Sequence, residues 1–122
     1  MESSLTIQQT AERTGLTTHT LRYYERVGLL PWIGRAANKH RRYTEEDIRM
    51  IEFVKRLRST GMPIVDVQRY VALLQRGGST VAERLGIMES HRERLVERIE
   101  ELQGFLARIE IKIEGYRERI RR

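Results

Sequence analysis

The stretch Thr17–Leu30, TTHTLRYYERVGLL, decides the fold. It opens on a hydroxyl residue suited to capping a helix and closes at Gly28, a residue suited to stopping one. Arg22, Tyr23 and Tyr24 stand side by side within it. Neighbouring helical residues point about 100° apart, so the two tyrosines cannot share a face. Leu21 and Tyr24, three apart, make the inward side, and Thr18, His19, Arg22 and Tyr23 are left facing out. Arginine and tyrosine on a short capped helix suit the gripping of a phosphate backbone.

Upstream, Thr6 opens an earlier helix, with Gln9 completing a capping box. Ile7 and Ala11 are expected to form its buried side and Gly15 to end it. Two short helices joined by a tight glycine-containing turn make a helix-turn-helix. Downstream, Leu29–Ile33 and Arg41–Tyr43 flank GRAANKH, whose Gly34 and Asn38 have turn character. This reads as a small two-stranded wing that the helices must brace, with Trp32 and Ile33 as bracing residues.

Thr44 then caps a third helix, with Asp47 at the box position and Glu45 and Glu46 suiting the positive helix end. Its apolar face is Ile48, Ile51, Phe53, Val54 and Leu57, and Gly61 ends it. Pro63 fits the first turn of a fourth helix carrying Ile64, Val67, Tyr70, Val71 and Leu74. Gly77–Gly78 marks a boundary. The expected organisation is a DNA-binding head over residues 1–76, a linker at 77–79 and a dimerisation helix over 80–122.

Past that boundary the pattern changes. Val81, Leu85, Met88, Arg92, Leu95, Ile99, Leu102, Leu106, Ile109, Ile113, Tyr116 and Ile120 alternate at spacings of four and three, and only Arg92 is not apolar. This is a coiled-coil seam. Some 40 helical residues at 1.5 Å each span roughly 60 Å. So long a seam calls for a second copy of the chain, a homodimer. Gly104 and Gly115 weaken the helix by about 1 kcal/mol each relative to alanine. One flank of the seam is mostly basic (Arg84, Arg98, Lys112, Arg119) and Glu89 and Glu110 lie on the other, which favours a parallel pair.

Charge is concentrated in one place. Of a formal net +6, a local +5 falls between Arg22 and Arg42, where Arg22, Arg26, Arg35, Lys39, Arg41 and Arg42 face one acid, Glu25. With no cysteine there are no disulfides and no thiolate metal or cluster site. No apolar run approaches the roughly 20 residues that span a bilayer, so a cytoplasmic, nucleoid-associated protein without a membrane partner is expected. His19, His40 and His91 lie in three separate elements, so no metal site and no cofactor is expected, and His19 and His40 are read as approaching phosphate. Neither a nucleophile elbow nor a phosphate-cradling glycine loop is present, and an enzyme is not expected. Binding of double-stranded DNA by a helix-turn-helix dimer is the leading reading.

The motifs LTIQQTAERTGLTTHTLRYYERVGLL, HRRYTEEDI and LRSTGMPI resemble the MerR family of bacterial transcriptional regulators, over Leu5 to about Leu74. The resemblance implies an all-α fold with a small β-hairpin wing: a winged helix-turn-helix head, a second helical pair behind it, and a long C-terminal helix in an antiparallel coiled coil. Antiparallel is adopted over the flank charges, because the spacing of the family's heads depends on it. It also implies a near-palindromic promoter with an over-long spacer, which the dimer bends and untwists so that RNA polymerase engages indirectly. Carried over, the contacts are Thr18, His19, Arg22 and Tyr23, with Tyr24 nearer the core or a phosphate. Arg41, Arg42 and Tyr43 match the wing strand, and the caps Thr6 and Thr17 with Arg35, Lys39 and His40 complete the expected DNA face. The wing departs from the common Asn-Gly turn, since Lys39 follows Asn38.

FVKRLRSTGMPI and ERLGIMESHRERL are most similar to the subgroup answering aldehydes and other electrophiles, several of which carry a cysteine near the place of Arg56. A thiol mechanism is excluded here. Members that sense large drugs have an added C-terminal domain, which is not expected in a chain ending at Arg122. A small-molecule effector would sit between the coil and the fourth helix, near Tyr70, Leu74 and a second copy's Phe105 or Ile109. Two other readings are a repressor or architectural binder without effector, and a coiled-coil adaptor for a protein partner.

Overall fold

The computed structural model describes residues 4–31, 33–35 and 41–122, the side chains at 34 and 35 excepted. Trp32, Lys39 and His40, the wing turn and the side chain of Arg35 therefore lie outside the described residues. The elements run α1 (Ile7–Thr14), α2 (Thr18–Arg26), β1 (Gly34–Arg35), β2 (Arg41–Arg42), α3 (Glu45–Ser59), α4 (Ile64–Arg76), a 3-10 turn (Gly78–Thr80) and α5 (Val81–Arg121). Two compact units divide them, Met1–Leu85 and Gly86–Arg122, so the first continues past the Gly77–Gly78 pair.

The caps form as their sequences dictate. Thr6 accepts from the Gln9 amide at 3.2 Å while its own amide donates to Gln9 Oε1 at 2.9 Å. Thr44 and Asp47 make the same reciprocal box on α3, at 3.1 and 2.8 Å. Thr17 accepts from the Thr20 amide at 3.0 Å. Each bond satisfies a helix-end donor that the chain itself leaves open, a contribution of about 1 kcal/mol per cap. Gly15 stops α1 at φ 73°, a left-handed conformation that an L side chain resists.

α1 corrects one expectation. Its buried residues are Thr10 and Thr14, while Ile7 and Ala11 are half-buried. Each threonine hydroxyl donates to the carbonyl four residues back, Thr10 to Thr6 and Thr14 to Thr10, both at 2.9 Å. With its hydroxyl satisfied, a threonine packs through its methyl group like a small apolar residue.

The hairpin is shorter and later than expected. β1 is Gly34–Arg35, paired antiparallel with β2 in the register Gly34 to Arg42 and Arg35 to Arg41. Leu29 and Leu30 are not strand residues; both are buried, and the Leu29 amide donates to the Tyr24 carbonyl at 2.8 Å to close the end of α2. Two-residue strands need outside support, and Tyr43 supplies it by exchanging backbone bonds with Leu5 at 2.7 and 3.0 Å.

The core gathers Leu21, Leu29, Tyr43, Ile51, Val54, Met62 and Val67, all at 0% exposure. α3 buries Ile48, Ile51, Val54 and Leu57 as the spacing predicts, but Phe53 is half-buried. α4 buries Val67, Val71 and Leu73, whereas Leu74, Tyr70 and Ile64 are half-buried. Pro63 stands one place earlier than expected, at the N-cap of α4. α5 forms one uninterrupted helix through Gly104 and Gly115.

Candidate nucleic-acid interface

α2 presents the stripe that its sequence promises. Leu21 is fully buried and Tyr24 is 8% exposed, while His19, Arg22 and Tyr23 are exposed and Thr18 is half-buried. Arg26 is also exposed. His19, Arg22, Tyr23 and Arg26 fall at i, i+3, i+4 and i+7, an arc about 100° wide opposite the buried pair. Arg26 lies 5.6 Å over the centre of the Tyr23 ring. Exposed contacts of this kind contribute about 0.5–1 kcal/mol, and this one orders two side chains that could meet an anion.

Four residues of the expected face turn out to serve the fold. Tyr43 is fully buried, so its phenol is not presented to a ligand. Its Oη has no hydrogen-bond partner among the described residues, and burial pushes the phenol above its ordinary pKa, with the Glu25 carboxylate adding to the rise. Tyr24 likewise belongs to the core, and burial raises its phenol too. Thr6 and Thr17 spend their hydroxyls on their caps.

The wing arginines are held from below. Arg41 Nε pairs with Glu25 of α2, both side chains being partly buried. Arg42 Nε donates to Ser4 Oγ at 3.0 Å and its Nη2 to the Ser4 carbonyl at 2.8 Å. At the far end of α2, Gln68 Nε2 of α4 donates to the Val27 carbonyl at 2.8 Å. Arg13 and Glu45 form a two-pronged pair at 3.0 and 2.9 Å between α1 and α3. The Arg13 hydrogen bond holds the Glu45 carboxyl below the usual carboxylate range.

Sequence reasoning passed over two residues. Arg26 was legible, because it completes the His19–Arg22 stripe one turn on. Glu25 was not, since its partner lies 16 residues away across a turn. The residues expected to meet an effector belong to different compact units. Tyr70 packs its ring against Phe53, centroids 5.8 Å apart, and Leu74 lies half-buried on the same helix. Phe105 and Ile109 are exposed on the part of α5 that forms the second compact unit. Among the described residues no cluster of His, Asp and Glu is arranged to hold a metal, and no helix is long and apolar enough to cross a membrane.

A family model described as MerR HTH family regulatory protein matches residues 5–74, more than half of the chain. The chain belongs to the MerR family. A second model, described as MerR, DNA binding, matches residues 48–110. The HTH-type transcriptional regulator AdhR of Bacillus subtilis (strain 168) is 45% identical over 93 residues, 76% of this chain and 66% of that protein. An uncharacterized HTH-type transcriptional regulator of Haemophilus influenzae is 33% identical over 111 residues, 91% of this chain and 82% of its own. Among solved structures, HiNmlR, a MerR family regulator lacking the sensor domain and bound to promoter DNA, superimposes with a TM-score of 0.89 at 32% identity, covering 95% of this chain and 92% of that one. A MerR family regulator from Bacillus thuringiensis gives 0.85 at 30% identity, over 93% of this chain and 99% of that one. These families and relatives are transcriptional regulators, and this MerR chain is a transcriptional regulator rather than an enzyme.

Proposed function

We propose that this MerR-family chain regulates transcription by binding promoter DNA as a homodimer. The observation that carries the reading is the exposed stripe His19, Arg22, Tyr23 and Arg26 on a capped helix, in a chain that superimposes on a relative bound to promoter DNA. Such a helix enters the major groove, and two copies reach successive grooves about 34 Å apart. The second copy is supplied along α5, whose Ile99, Leu102, Leu106, Ile109 and Ile113 are each 43–55% exposed in the single chain at coiled-coil spacing. Leu85, Met88, Leu95, Tyr116 and Ile120 extend the same seam, and the two helices run antiparallel. The operator is near-palindromic with an over-long spacer, which the dimer bends and untwists, acting on RNA polymerase through DNA shape. A small effector, where one operates, lies by the Phe53–Tyr70 ring pair and Leu74.

A salt series on labelled duplexes tests the reading. A DNA reader gives a steep negative slope of log affinity against log salt and prefers one palindrome; a protein adaptor gives neither. Arg22→Ala is expected to weaken operator binding by about 1–3 kcal/mol while sparing non-specific binding, as loss of a base-edge pair does. Equal loss on every sequence would reassign Arg22 to phosphate. Shortening the promoter spacer separates activation by untwisting, which loses its advantage there, from repression by occupancy, which does not.

A further inference from the structure

Glu25 is the one acid between Arg22 and Arg42, on a helix whose proposed partner is a polyanion. By charge alone it is misplaced, because every carboxylate near the phosphates opposes binding. Its surroundings account for it. The Glu25 side chain, 18% exposed, pairs with Arg41 of β2, which is 31% exposed. The next two residues of the chain are fixed as well, Arg42 to Ser4 and Tyr43 to Leu5. The Glu25–Arg41 pair therefore ties a wing strand, already anchored to the N-terminal segment, to the helix that carries the exposed stripe.

We propose that Glu25 is a positioning residue for DNA recognition: through Arg41 it locks the wing to α2, so that both meet the duplex as one surface of fixed geometry. This rests on the DNA-binding reading above. A locked wing can engage phosphates only when α2 sits in its own register on the bases. An unlocked Arg41 follows the nearest phosphate on any sequence. Glu25 thus gives up some general attraction to DNA and gains discrimination between sequences.

The test uses the full chain, a duplex that it selects from random DNA, and a scrambled duplex of equal length, both followed across a salt series. Glu25→Gln is expected to lower affinity for the selected duplex about tenfold, within the range of coupled neighbours, and to leave the scrambled duplex bound as well or better. In an Arg41→Gln background the same change is expected to alter the ratio of the two affinities less than about twofold, because Glu25 acts through Arg41. Tighter binding of both duplexes by Glu25→Gln would make the residue a charge and nothing more. Equal weakening on both would make it a fold residue, and an undiminished effect without Arg41 would break the proposed route. Any of these overturns the proposal. Should Glu25→Gln fail to fold, Glu25→Asp keeps the charge but shortens the reach; it is expected to lower the ratio, and a wild-type ratio overturns the proposal equally. A native chain with no salt slope and no preferred duplex would instead remove the DNA reading on which the proposal stands.

Discussion

The head and the long helix use the same apolar residue types and treat them in opposite ways. In the head, Leu21, Leu29, Ile51, Val54 and Val67 are fully buried, and Thr6, Thr17 and Thr44 close the helix starts. On α5, leucines and isoleucines from Ile99 to Ile120 are exposed, the last at 83%. Burying a leucine or isoleucine contributes about 1.5–3 kcal/mol. The head collects that energy within one chain, while the seam of α5 leaves it uncollected in the single chain. Ion pairs such as Arg98–Glu101 at 2.5 Å and Arg121–Glu118 at 3.1 Å support the helix but add only a few tenths of a kcal/mol each. On the proposed reading, the contrast is that of self-sufficient heads joined through a surface completed by pairing.

The contrast breaks most visibly in the seam. Leu102→Glu with Ile109→Glu places four carboxylates in the proposed dimer core. Sedimentation should then report a monomer, and duplex affinity should fall by about a hundredfold or more, as when two linked sites become separate ones. A monomer that keeps its affinity would show that α5 does not join the heads. A smaller effect sharpens the comparison within one residue type. Ile51→Ala in the head should cost about 2–5 kcal/mol by denaturant unfolding, because the cavity cannot be refilled. Ile111→Ala, at a position 74% exposed and off the seam, should cost less than about 0.5 kcal/mol. Similar costs at both sites would mean that α5 buries more than its seam.

The legible parts of this molecule were those written locally. Cap residues three apart, Gly15 and Gly28 beyond helix ends, and the Leu21–Tyr24 inward pair all lie within one helical turn of what they decide. The misread parts depend on distant partners. Leu29 and Leu30 have strand composition, but both are buried and the Leu29 amide closes the end of α2, so the hairpin forms later at Gly34–Arg35. Thr10 and Thr14 look like surface residues until their hydroxyls bond the preceding turn. Leu73 lies on another side of α4 from Val67 and Val71, and it is buried where the Thr80 hydroxyl bonds its carbonyl at 2.7 Å. On the candidate interface, helical arithmetic gives the outward side of Thr18, His19, Arg22 and Tyr23 and extends one turn to Arg26, which the sequence reading passes over, whereas the burial of Tyr43 and the Glu25–Arg41 pair needs the fold itself.

The smallest expected effect concerns pH. The folded Glu45 carboxyl lies below its unfolded value, near 4.3 for a free glutamate, because Arg13 favours its ionised form. The contribution of the pair is therefore present above that value and lost as pH falls through the folded one. An Arg13→Gln variant should be slightly less stable than the native chain at pH 7, and the gap should narrow as acid protonates the folded Glu45 carboxyl. As an exposed pair it changes stability little, and a gap that stays constant with pH would detach it from the linkage between α1 and α3.

The central claim is that two copies of the α2 stripe are held at a set separation by α5. Selection of duplexes by the full chain from a random pool measures this directly, through the spacing of what is enriched. The account predicts two inverted half-sites with one fixed centre-to-centre distance, compatible with successive major grooves. Single half-sites, or pairs enriched equally at many spacings, would contradict it.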